Sequence, residues 1–535
     1  MALPVGVTED QFAAAIEKFK AAVGAEWVFT EEEDVILYRD AYSPMYGEDS
    51  ELMASAAVAP ATVEEVQEVV RVANELKIPI YPISTGMNLG YGGSAPILNN
   101  SVVVDLKRMN KIIEVDDVRH FAIVEPGVSY FDLYRYIVEH DLDVWIDCPD
   151  PGWGSIVGNA LDHGVGYTWG HYRDHFRSHS GLEAVLPNGE LLRTGMGALP
   201  GAKTWGEFHY GFGPQVDSLF AQGNAGIVTK MGIHLMPRPA TYRSGMVKVP
   251  RRNDIKALVR IVNDLEDQGL IGMPRYGSPM SAVRDEGLSA LVNAPEGWNG
   301  DAIDAWVQDN GHMYWNVLLQ FYGPEKTTLA NWEYAQEKIA AAIPGAVFED
   351  REFYTMPMTD EQIHNAEHRV ALGVPQLEIF SIGARTATNP SPRDGHLWFA
   401  AVIPRSGEGV LEAQEVMGKA FRDAGMPPMF GPFSTPSTWM YHTFIFITGF
   451  PVVKGNEEVA RQNRAGFSRI IEIARQHGYG EYRAPPAFVD EIAGAYNFND
   501  NALLRLNETI KDAIDPNGII AAGRGGIWPK HLRKS

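Results

Sequence analysis

The amino-acid sequence predicts a multidomain protein that mixes α-helices and β-strands. Three observations support this prediction. Helical and strand patterns alternate over roughly the first 240 residues, and the pattern changes after Pro237-Arg238-Pro239, which is the first candidate domain boundary. A chain of 535 residues with 45% hydrophobic and 21% charged side chains is also long enough for two to four folded domains.

The helices of the first half have recognisable start signals. Thr8 and Gln11 form a capping box before an amphipathic run that stops at Gly24. Thr62 and Glu65 repeat this pattern before apolar residues at helical spacing. Each pair therefore predicts the first turn of a helix.

Short apolar runs in the same half predict buried strands. They lie at 78–83, 102–104 and 122–124, and two prolines in the first run favour a sheet edge or the end of the strand. Pro-Asn-Gly at 187–189 separates two further apolar runs and predicts a hairpin. In the second half, the helical stretches alternate with Trp- and Pro-rich segments.

Composition excludes several classes of protein. The 45 basic and 68 acidic side chains give a formal charge of −23, which argues against nucleic-acid and anionic-membrane partners. The single cysteine, Cys148, permits no internal disulfide and favours a reducing compartment. The first residues resemble no signal peptide, and no apolar run approaches the ~18 residues of a membrane span. We therefore expect a soluble, cytoplasmic protein.

Three glycine-rich stretches are candidates for ligand binding. Residues 84–93 (STGMNLGYGG) follow a predicted strand and can present backbone N–H groups to a phosphate or pyrophosphate. They match neither the Rossmann fingerprint nor the P-loop. In residues 147–167, Asp150 stands between two prolines among five glycines, and residues 223–229 form the third stretch. Taken singly, the first stretch is better explained by a tight surface turn and Asp150 by a solvated turn aspartate, whereas the third stretch fits either a bulge or a close approach to a ligand.

Metal and nucleophile motifs are weak. His171/His175 and His364/His368 have the His-x-x-x-His spacing but lack the HExxH glutamate, and two histidines are too few for a zinc site. No GxSxG elbow occurs, and Cys148 has no catalytic motif around it. No metal site is predicted.

Taken together, seven ordered segments resemble the vanillyl-alcohol oxidase/p-cresol methylhydroxylase family of covalent flavoproteins, and most of all its 4-phenol oxidases, such as eugenol oxidase. These segments are 84–96, 124–134, 147–168, 192–201, 224–239, 478–483 and 515–528. The resemblance implies an α+β fold with a two-subdomain FAD-binding domain of the p-cresol methylhydroxylase type and an α+β cap domain that covers the substrate. We expect the FAD-binding domain at 1–243, the cap at 244–479, and a C-terminal segment at 480–535 that returns to the FAD-binding domain.

The resemblance also implies which residues hold FAD. His396, in a segment that matches the histidyl pattern, is the candidate for an 8α-histidyl bond, since 380–387 contain no tyrosine of the kind that the p-cresol enzyme uses. The alternative is a pocket histidine beside non-covalent FAD. Arg524 matches a position near flavin N1–C2=O, where positive charge is favourable. The remaining candidates are Ser84, Thr85, Gly86, Met87, Asn88, Gly90, Pro149, Gly154, Ser155, Gly158, Asn159, Gly226, Ile227 and Val228.

Five further residues match the family's catalytic positions. Tyr91, Tyr482 and Arg483 correspond to a trio that binds the substrate as a phenolate, which loses a benzylic hydride far more readily than the phenol does. Asp150 corresponds to a carboxylate near flavin N5 that can act as a base, and Tyr167 to a pocket tyrosine that supports it.

The implied function is oxidation of para-substituted phenols, namely 4-alkylphenols, 4-allylphenols or 4-hydroxybenzylic alcohols. Hydride would pass from the benzylic carbon to FAD N5 through a quinone methide, and O2 would accept the electrons and give H2O2. The alternative is a hydroxylase or dehydrogenase that passes electrons to a cytochrome c. A flavin carrier without chemistry is a third interpretation, which the four residues Tyr91, Asp150, Tyr482 and Arg483 argue against. The expected partners are a small phenol, O2 and at least one further copy of the chain, with no nucleic acid and no membrane.

Three departures from the family pattern predict an altered pocket wall. Residues 169–174 (WGHYRD) carry two extra residues relative to the family's shorter turn. Tyr441 replaces the first histidine of a Met-His-His segment, and Pro432 stands where relatives often have a polar side chain.

Overall fold

The computed structural model describes residues 2–378, 395–427 and 429–533. The helices are α1 (Glu9–Val23), α2 (Glu32–Val35), α3 (Val63–Leu76), α4 (Tyr130–Glu139), α5 (Ile156–Leu161), α6 (Gly170–Arg173), α7 (Asp254–Asp267), α8 (Glu286–Val292), α9 (Gly300–Asp309), α10 (Glu325–Ala342), α11 (Asp360–Asn365), α12 (Gly407–Asp423), α13 (Glu457–Gln476), α14 (Val489–Ala495) and α15 (Phe498–Ile514). The strands are β1 (Val28–Phe29), β2 (Ala56–Val58), β3 (Ile80–Ile83), β4 (Val102–Asp105), β5 (Ile112–Asp116), β6 (Phe121–Val124), β7 (Val144–Trp145), β8 (His179–Val185), β9 (Leu191–Arg193), β10 (Ile227–His234), β11 (Met236–Pro237), β12 (Thr241–Val249), β13 (Arg275–Gly277), β14 (Trp315–Gly323), β15 (Val347–Thr355), β16 (Gly395–Ile403) and β17 (Phe444–Val452).

The first sheet has the strand order β1-β2-β4-β3, with β2, β4 and β3 parallel. Strand β3 lies beside β4 at the end of this order, as its two prolines predict, because a proline cannot donate to a second neighbouring strand. The C-terminal segment then joins the outer side of β3: Ile80 N–H donates to the Ile519 carbonyl at 2.7 Å, and Ala521 N–H donates to the Ile80 carbonyl at 2.8 Å. The far end of the chain thereby returns to the first sheet.

The second sheet is antiparallel, in the order β5-β6-β10-β8-β9. Strand β8 is buried along its whole length, and it forms with β9 the hairpin that Pro-Asn-Gly predicts. The buried side chains of the two sheets form separate hydrophobic clusters, and helix α5 contributes to the second one. The glycine-rich segments at 84–93 and 147–167 lie in the part of the chain that forms these two sheets.

Residues after Pro239 form a third antiparallel sheet, β13-β14-β12-β15, and a two-stranded ribbon, β16-β17. Both contribute to one hydrophobic cluster with α7, α10, α12 and α13. Helices α7 to α10 lie in the half of the chain where the sequence predicts helical stretches between Trp- and Pro-rich segments. None of the helices in the described residues has both the length and the apolar character needed to cross a membrane.

The two predicted capping boxes differ in the structure. At Thr8 both bonds form, because Gln11 N–H donates to Thr8 Oγ1 at 3.3 Å and Thr8 N–H donates to Gln11 Oε1 at 3.1 Å. At Thr62 only the forward bond forms, from Glu65 N–H at 3.2 Å. The Glu65 carboxylate instead accepts from Ala61 N–H at 2.7 Å, one residue before the cap. The second box is therefore a simple N-cap.

Candidate active site

A long cleft runs between the two sheets of the first half and the ribbon β16-β17. It encloses about 1760 Å³ of empty space, including the part that is open to solvent. The predicted site residues that line it are Ser84, Thr85, Gly86, Met87, Asn88, Tyr91, Pro149, Asp150, Gly154, Ser155, Gly158, Asn159, Tyr167, Gly226, Val228, His396, Tyr482, Arg483 and Arg524. Six separate parts of the sequence thus meet in one cavity.

Gly90 and Ile227 are the two predicted residues outside this lining. Gly90 has a φ of +84°, and a Cβ atom there would lie 2.6 Å from the Trp398 ring, so the loop needs a glycine to pass this side chain. Ile227 is 1% exposed and packs in the hydrophobic cluster of the first sheet. Both residues support the cleft from behind.

The 84–93 loop and helix α5 fit closely at the base of the cleft. The loop starts where strand β3 ends, and Gly86 turns it with a φ of +69°. A Cβ atom on Gly158 would lie 2.1 Å from Ser84 Oγ, so the helix approaches the loop as far as a glycine allows. Such a surface of loop backbone and small side chains fits an extended ligand with a pyrophosphate group.

A buried carboxylate that the sequence analysis did not single out connects the cations of the cleft. Asp162 follows α5 and contacts Arg524 through its Oδ1 atom. Arg483 Nε donates to the Asp162 carbonyl at 2.5 Å and lies 3.6 Å from Oδ2, and Asn88 donates to Oδ2 at 2.7 Å. Burial acts to raise the pKa of Asp162, but the two guanidinium groups and the amide outweigh it and hold this pKa below its usual value. Asp162 is therefore ionised and fixes both arginines.

One group of side chains in the cleft consists of two tyrosines and an arginine. The Arg483 guanidinium carbon lies 5.0 Å from the centre of the Tyr91 ring and 5.6 Å from that of Tyr482. Burial raises the pKa of both phenols, which are therefore neutral hydrogen-bond donors. The Tyr91 hydroxyl is buried, and no acceptor for its proton lies among the described residues. A buried donor without an acceptor favours the binding of an acceptor by this group.

A second group of side chains in the cleft consists of a carboxylate and a tyrosine. Tyr167 donates a hydrogen bond to Asp150 Oδ2 at 2.5 Å. Burial raises the pKa of Asp150, and the bond from Tyr167 and the charge of Arg275 offset part of this rise. The Arg275 guanidinium carbon lies 5.7 Å from the centre of the Tyr167 ring. No sequence motif pointed to Arg275, which comes from strand β13.

His396 lies near the start of β16 and faces the cleft. Its ring packs against Tyr42 at 4.9 Å and Trp398 at 4.4 Å between ring centres. Burial lowers its pKa to about 4, so the imidazole is neutral and has a free nitrogen lone pair at neutral pH. The segment 380–387, in which the sequence lacks a tyrosine, lies outside the described residues.

His175 and Cys148, which the sequence analysis considered as metal-ligand and nucleophile candidates, are both buried among structural contacts. His175 contacts Asn159 Oδ1 at 2.6 Å and Asp147 Oδ1 at 3.0 Å, deep in the protein. Within the ranges that the structure describes, no group of three or more His, Cys, Asp or Glu side chains is arranged so that it could hold a metal ion. Cys148 is fully buried, and burial raises the pKa of its thiol well above the ordinary value.

The three departures from the family pattern do not themselves form the wall of the cleft. In the described part of the chain, none of 169–174, Pro432 and Tyr441 lines the cleft. The Pro432 carbonyl accepts a hydrogen bond from Gln414 in the cap, at 3.1 Å. Trp439 is the residue of this region that reaches the cleft, and residues 169–174 and Tyr441 lie behind it.

Comparison with known proteins assigns the chain to a family. The signature of the FAD binding domain family matches residues 54–195. The chain is 34% identical over 531 residues to the 4-cresol dehydrogenase [hydroxylating] flavoprotein subunit of Pseudomonas putida, across 98% of this chain and 97% of that protein. The chain belongs to the vanillyl-alcohol oxidase/p-cresol methylhydroxylase family.

Two solved structures of this family match the whole chain. A 4-ethylphenol oxidase from Gulosibacter chungangensis, in its isoeugenol complex, superposes with a TM-score of 0.82 at 32% identity, over 99% of this chain and 100% of that one. A p-cresol methylhydroxylase with substrate bound has a TM-score of 0.80 at 31% identity, over 99% of each chain. The predicted α+β fold, an FAD-binding domain with a cap, is thereby confirmed.

This membership makes the protein an FAD-dependent oxidoreductase. The cleft fits this cofactor, because its glycine-rich base admits close backbone approach without a Rossmann fingerprint and its charged residues include two arginines held by Asp162. The domain boundaries at 243 and 479 and the individual site residues stay predictions.

Proposed function

We propose that the protein oxidises para-substituted phenols at the benzylic carbon, with O2 as the electron acceptor and H2O2 as a product. The substrates are 4-alkylphenols, 4-allylphenols or 4-hydroxybenzylic alcohols. The observation that carries this proposal is that a donor trio and a carboxylate occur at different positions in the same FAD cleft. The trio is Tyr91, Tyr482 and Arg483, and the carboxylate is Asp150.

The trio supports binding of the phenol as its anion. A free phenol has a pKa of about 10, so the site must favour the phenolate for reaction near neutral pH. The Arg483 guanidinium supplies a permanent charge, and the neutral Tyr91 and Tyr482 hydroxyls can donate to the phenolate oxygen. Because Asp162 holds Arg483 through Nε, the geometry leaves other guanidinium N–H groups for the ligand.

Asp150, in the second group of side chains, supports proton removal. Once ionised, its carboxylate can accept the proton of a benzylic alcohol or of a water that adds to the oxidised substrate. Tyr167 fixes Oδ2 by its hydrogen bond, which leaves Oδ1 to act as the base. In this proposal the trio binds the phenolate oxygen and Asp150 faces the benzylic carbon. A substrate whose hydroxyl and reacting carbon are para to each other can reach both.

Bound FAD would supply the hydride acceptor. In this proposal Ser84, Gly158 and Val228 belong to the surface that holds it, and Arg524 provides positive charge beside the ring system. His396 is the proposed point of covalent 8α attachment, since its buried imidazole is neutral and lines the cleft.

The attachment is tested by denaturation. Protein precipitated with acid should stay yellow and give a fluorescent band in a denaturing gel, whereas His396→Ala should release its flavin into the supernatant. His364→Ala, which changes an imidazole away from the cleft, is the matched control. Release of flavin from the unaltered protein would refute the covalent bond.

The function is tested by anaerobic mixing. Addition of 4-ethylphenol or 4-hydroxybenzyl alcohol under argon should bleach the yellow absorbance, and the admission of air should restore it within seconds with about one H2O2 per turnover. A peroxide screen over guaiacyl, syringyl and simple 4-alkylphenols then defines the ring preference. An unchanged spectrum with every phenol would reject the proposal.

A second candidate is a hydroxylase or dehydrogenase that transfers electrons to a cytochrome c. It is favoured by the full-length similarity to a protein described as a flavoprotein subunit of a dehydrogenase. In that case the bleached protein would recover its colour slowly in air and quickly with added ferricytochrome c.

The assembly is proposed on the family resemblance, and the location on the composition of the sequence. We propose a homodimer or larger homo-oligomer in the cytoplasm. Light scattering of the purified holoprotein measures the mass directly, and a mass of one chain, 59.1 kDa, would reject the oligomer.

A further inference from the structure

Three buried charged side chains meet behind the wall of the cleft. Arg173 Nη2 lies 2.5 Å from Glu266 Oε1, and Arg405 Nη2 lies 2.5 Å from Glu266 Oε2. The Arg173 and Glu266 side chains are only 1% and 3% exposed. Arg173 ends helix α6, Glu266 lies in α7, and Arg405 follows β16, so this cluster joins three separate parts of the chain.

Arg173 also holds the backbone of a residue that lines the cleft. Its Nε atom donates to the Trp439 carbonyl at 2.9 Å. Trp439 lines the cleft, and its ring meets the Tyr167 ring edge-on at 6.4 Å between centres. Because Tyr167 donates to Asp150, Trp439 stands beside the group of side chains that the para substituent would face.

The segment that carries Trp439 is held by individual bonds rather than by a helix or a strand. Ser437 forms an isolated β-bridge with Ile445. Thr438 donates to the Pro274 carbonyl, and the Tyr441 ring lies within 5.8 Å of the Arg173 guanidinium carbon and 5.9 Å of that of Arg405. The bond from Arg173 is therefore one of several contacts that fix this segment, and it is made to the backbone of Trp439 itself.

We propose that Arg173 is a positioning residue that fixes Trp439 and so sets the length of para substituent that the enzyme accepts. This inference rests on the proposed function. The fork geometry matters, because one guanidinium nitrogen contacts Glu266 while another holds the Trp439 carbonyl. The buried ion pair anchors the guanidinium, so the wall at Trp439 cannot withdraw to admit a longer chain.

The test compares Arg173→Lys with Arg405→Lys in the FAD-loaded enzyme. Lysine keeps the buried positive charge beside Glu266, but a single ammonium nitrogen replaces the two separate contacts of Arg173. Arg405→Lys makes the same chemical change at the other cation, whose guanidinium pairs with Glu266 and Asp267 and, among the described residues, makes no bond to Trp439. The measurement is kcat/KM for 4-methyl-, 4-ethyl-, 4-propyl- and 4-butylphenol.

We expect Arg173→Lys to change the butyl-to-methyl ratio of kcat/KM by about fivefold or more in favour of the longer chain, since one methylene in a pocket is worth about 10-fold or more. The ratio cancels any loss of active enzyme, so a merely structural defect would not move it. Arg405→Lys should leave the ratio within about twofold of wild type.

A double substitution tests whether Arg173 acts through Trp439. If Arg173 acts through Trp439, adding Arg173→Lys to Trp439→Phe should change the ratio less than it does in the wild-type background. Equal ratios in Arg173→Lys and wild type, or equal changes in Arg173→Lys and Arg405→Lys, would overturn this inference alone. A wild-type enzyme that oxidises none of the phenols would overturn the proposed function as well.

Discussion

The two groups of side chains in the cleft are built in different ways. In the group proposed to bind the phenol, the phenol end, Arg483 lies against the rings of Tyr91 and Tyr482, and an ionised Asp162 fixes the arginine. In the group proposed to face the para substituent, the para end, Asp150 and Tyr167 share one short hydrogen bond, and the Trp439 ring meets that of Tyr167. The first end is rich in fixed charge, whereas the second combines one titratable carboxylate with an aromatic surface.

This difference separates binding from specificity. A phenolate oxygen is the same in every substrate of this class, so the residues that bind it can be rigid. The para substituent varies from one substrate to another. The part of the cleft that we propose for it is bounded by the loop that carries Trp439, and this loop contacts the cap and residues 169–174. We expect substitutions at the first end to weaken every phenol alike, and those at the second to depend on the substrate.

The largest effect is expected for Asp150→Asn. Loss of a general base costs about 100-fold or more in kcat, so oxidation of 4-hydroxybenzyl alcohol should fall by at least this factor. The dissociation constant of an unreactive phenol such as 4-bromophenol should stay unchanged, because the phenol end is intact. Asp141→Asn, at a side chain that is 94% exposed, is the control. Weaker binding of 4-bromophenol would contradict the division between the two ends.

Arg483→Met is expected to cost about 10- to 100-fold in kcat/KM. A hydrogen bond to a charged group contributes about 1.5–3 kcal/mol, which corresponds to that range of rates. The loss should be similar for methyl and ethyl substrates, and 4-bromophenol should bind more weakly. Arg475→Met removes an exposed arginine that pairs with Glu472 and should change neither. Near-normal turnover would exclude Arg483 from phenolate binding.

Tyr167→Phe should move the pH profile. Asp150 accepts a proton only when it is ionised, so kcat/KM decreases as the pH falls through its raised pKa. The hydrogen bond from Tyr167 lowers that pKa, and its removal should therefore shift the acid limb to higher pH. The pH profile is measured with two phenols of different acidity. If the midpoint of the acid limb is the same for both, the limb reports a group of the enzyme and not the substrate. A shift to lower pH would contradict this assignment.

The smallest effect is expected for Arg275→Gln. The charge of Arg275 also lowers the pKa of Asp150, but less than the Tyr167 hydrogen bond does. The acid limb should again move to higher pH, by less than in Tyr167→Phe. Arg284→Gln, a change at an arginine remote from the cleft lining, serves as the control. A larger shift in Arg275→Gln would reverse the order of the two contributions.

Local signals were sufficient for much of the fold. The prolines beside β3, the hairpin at 187–189 and the capping box at Thr8 are properties of a few consecutive residues, and the structure confirms each of them. The second capping box was wrong in one bond, because Glu65 has two backbone N–H groups within reach and the sequence does not show which is closer.

Site residues with a recognisable segment around them were also predictable. Tyr482 and Arg483 lie in a matched segment, and the cleft contains both. Asp162 lies in a matched segment too, but nothing local distinguishes a carboxylate after a short helix from a solvated one. Its partners Arg483 and Arg524 are more than 300 residues away, so only folding reveals its role.

The sequence by itself determined the elements and the chemical groups of this protein: alternating helices and strands, glycine-rich loops without a Rossmann fingerprint, and the phenol, carboxylate and guanidinium side chains. These depend on residue type and short spacing. Only the tertiary structure decided that Trp439 rather than Tyr441 or Pro432 faces the cleft, and that Arg173 holds it. The reason is physical, since the direction of a loop side chain depends on contacts with residues that are distant in the chain.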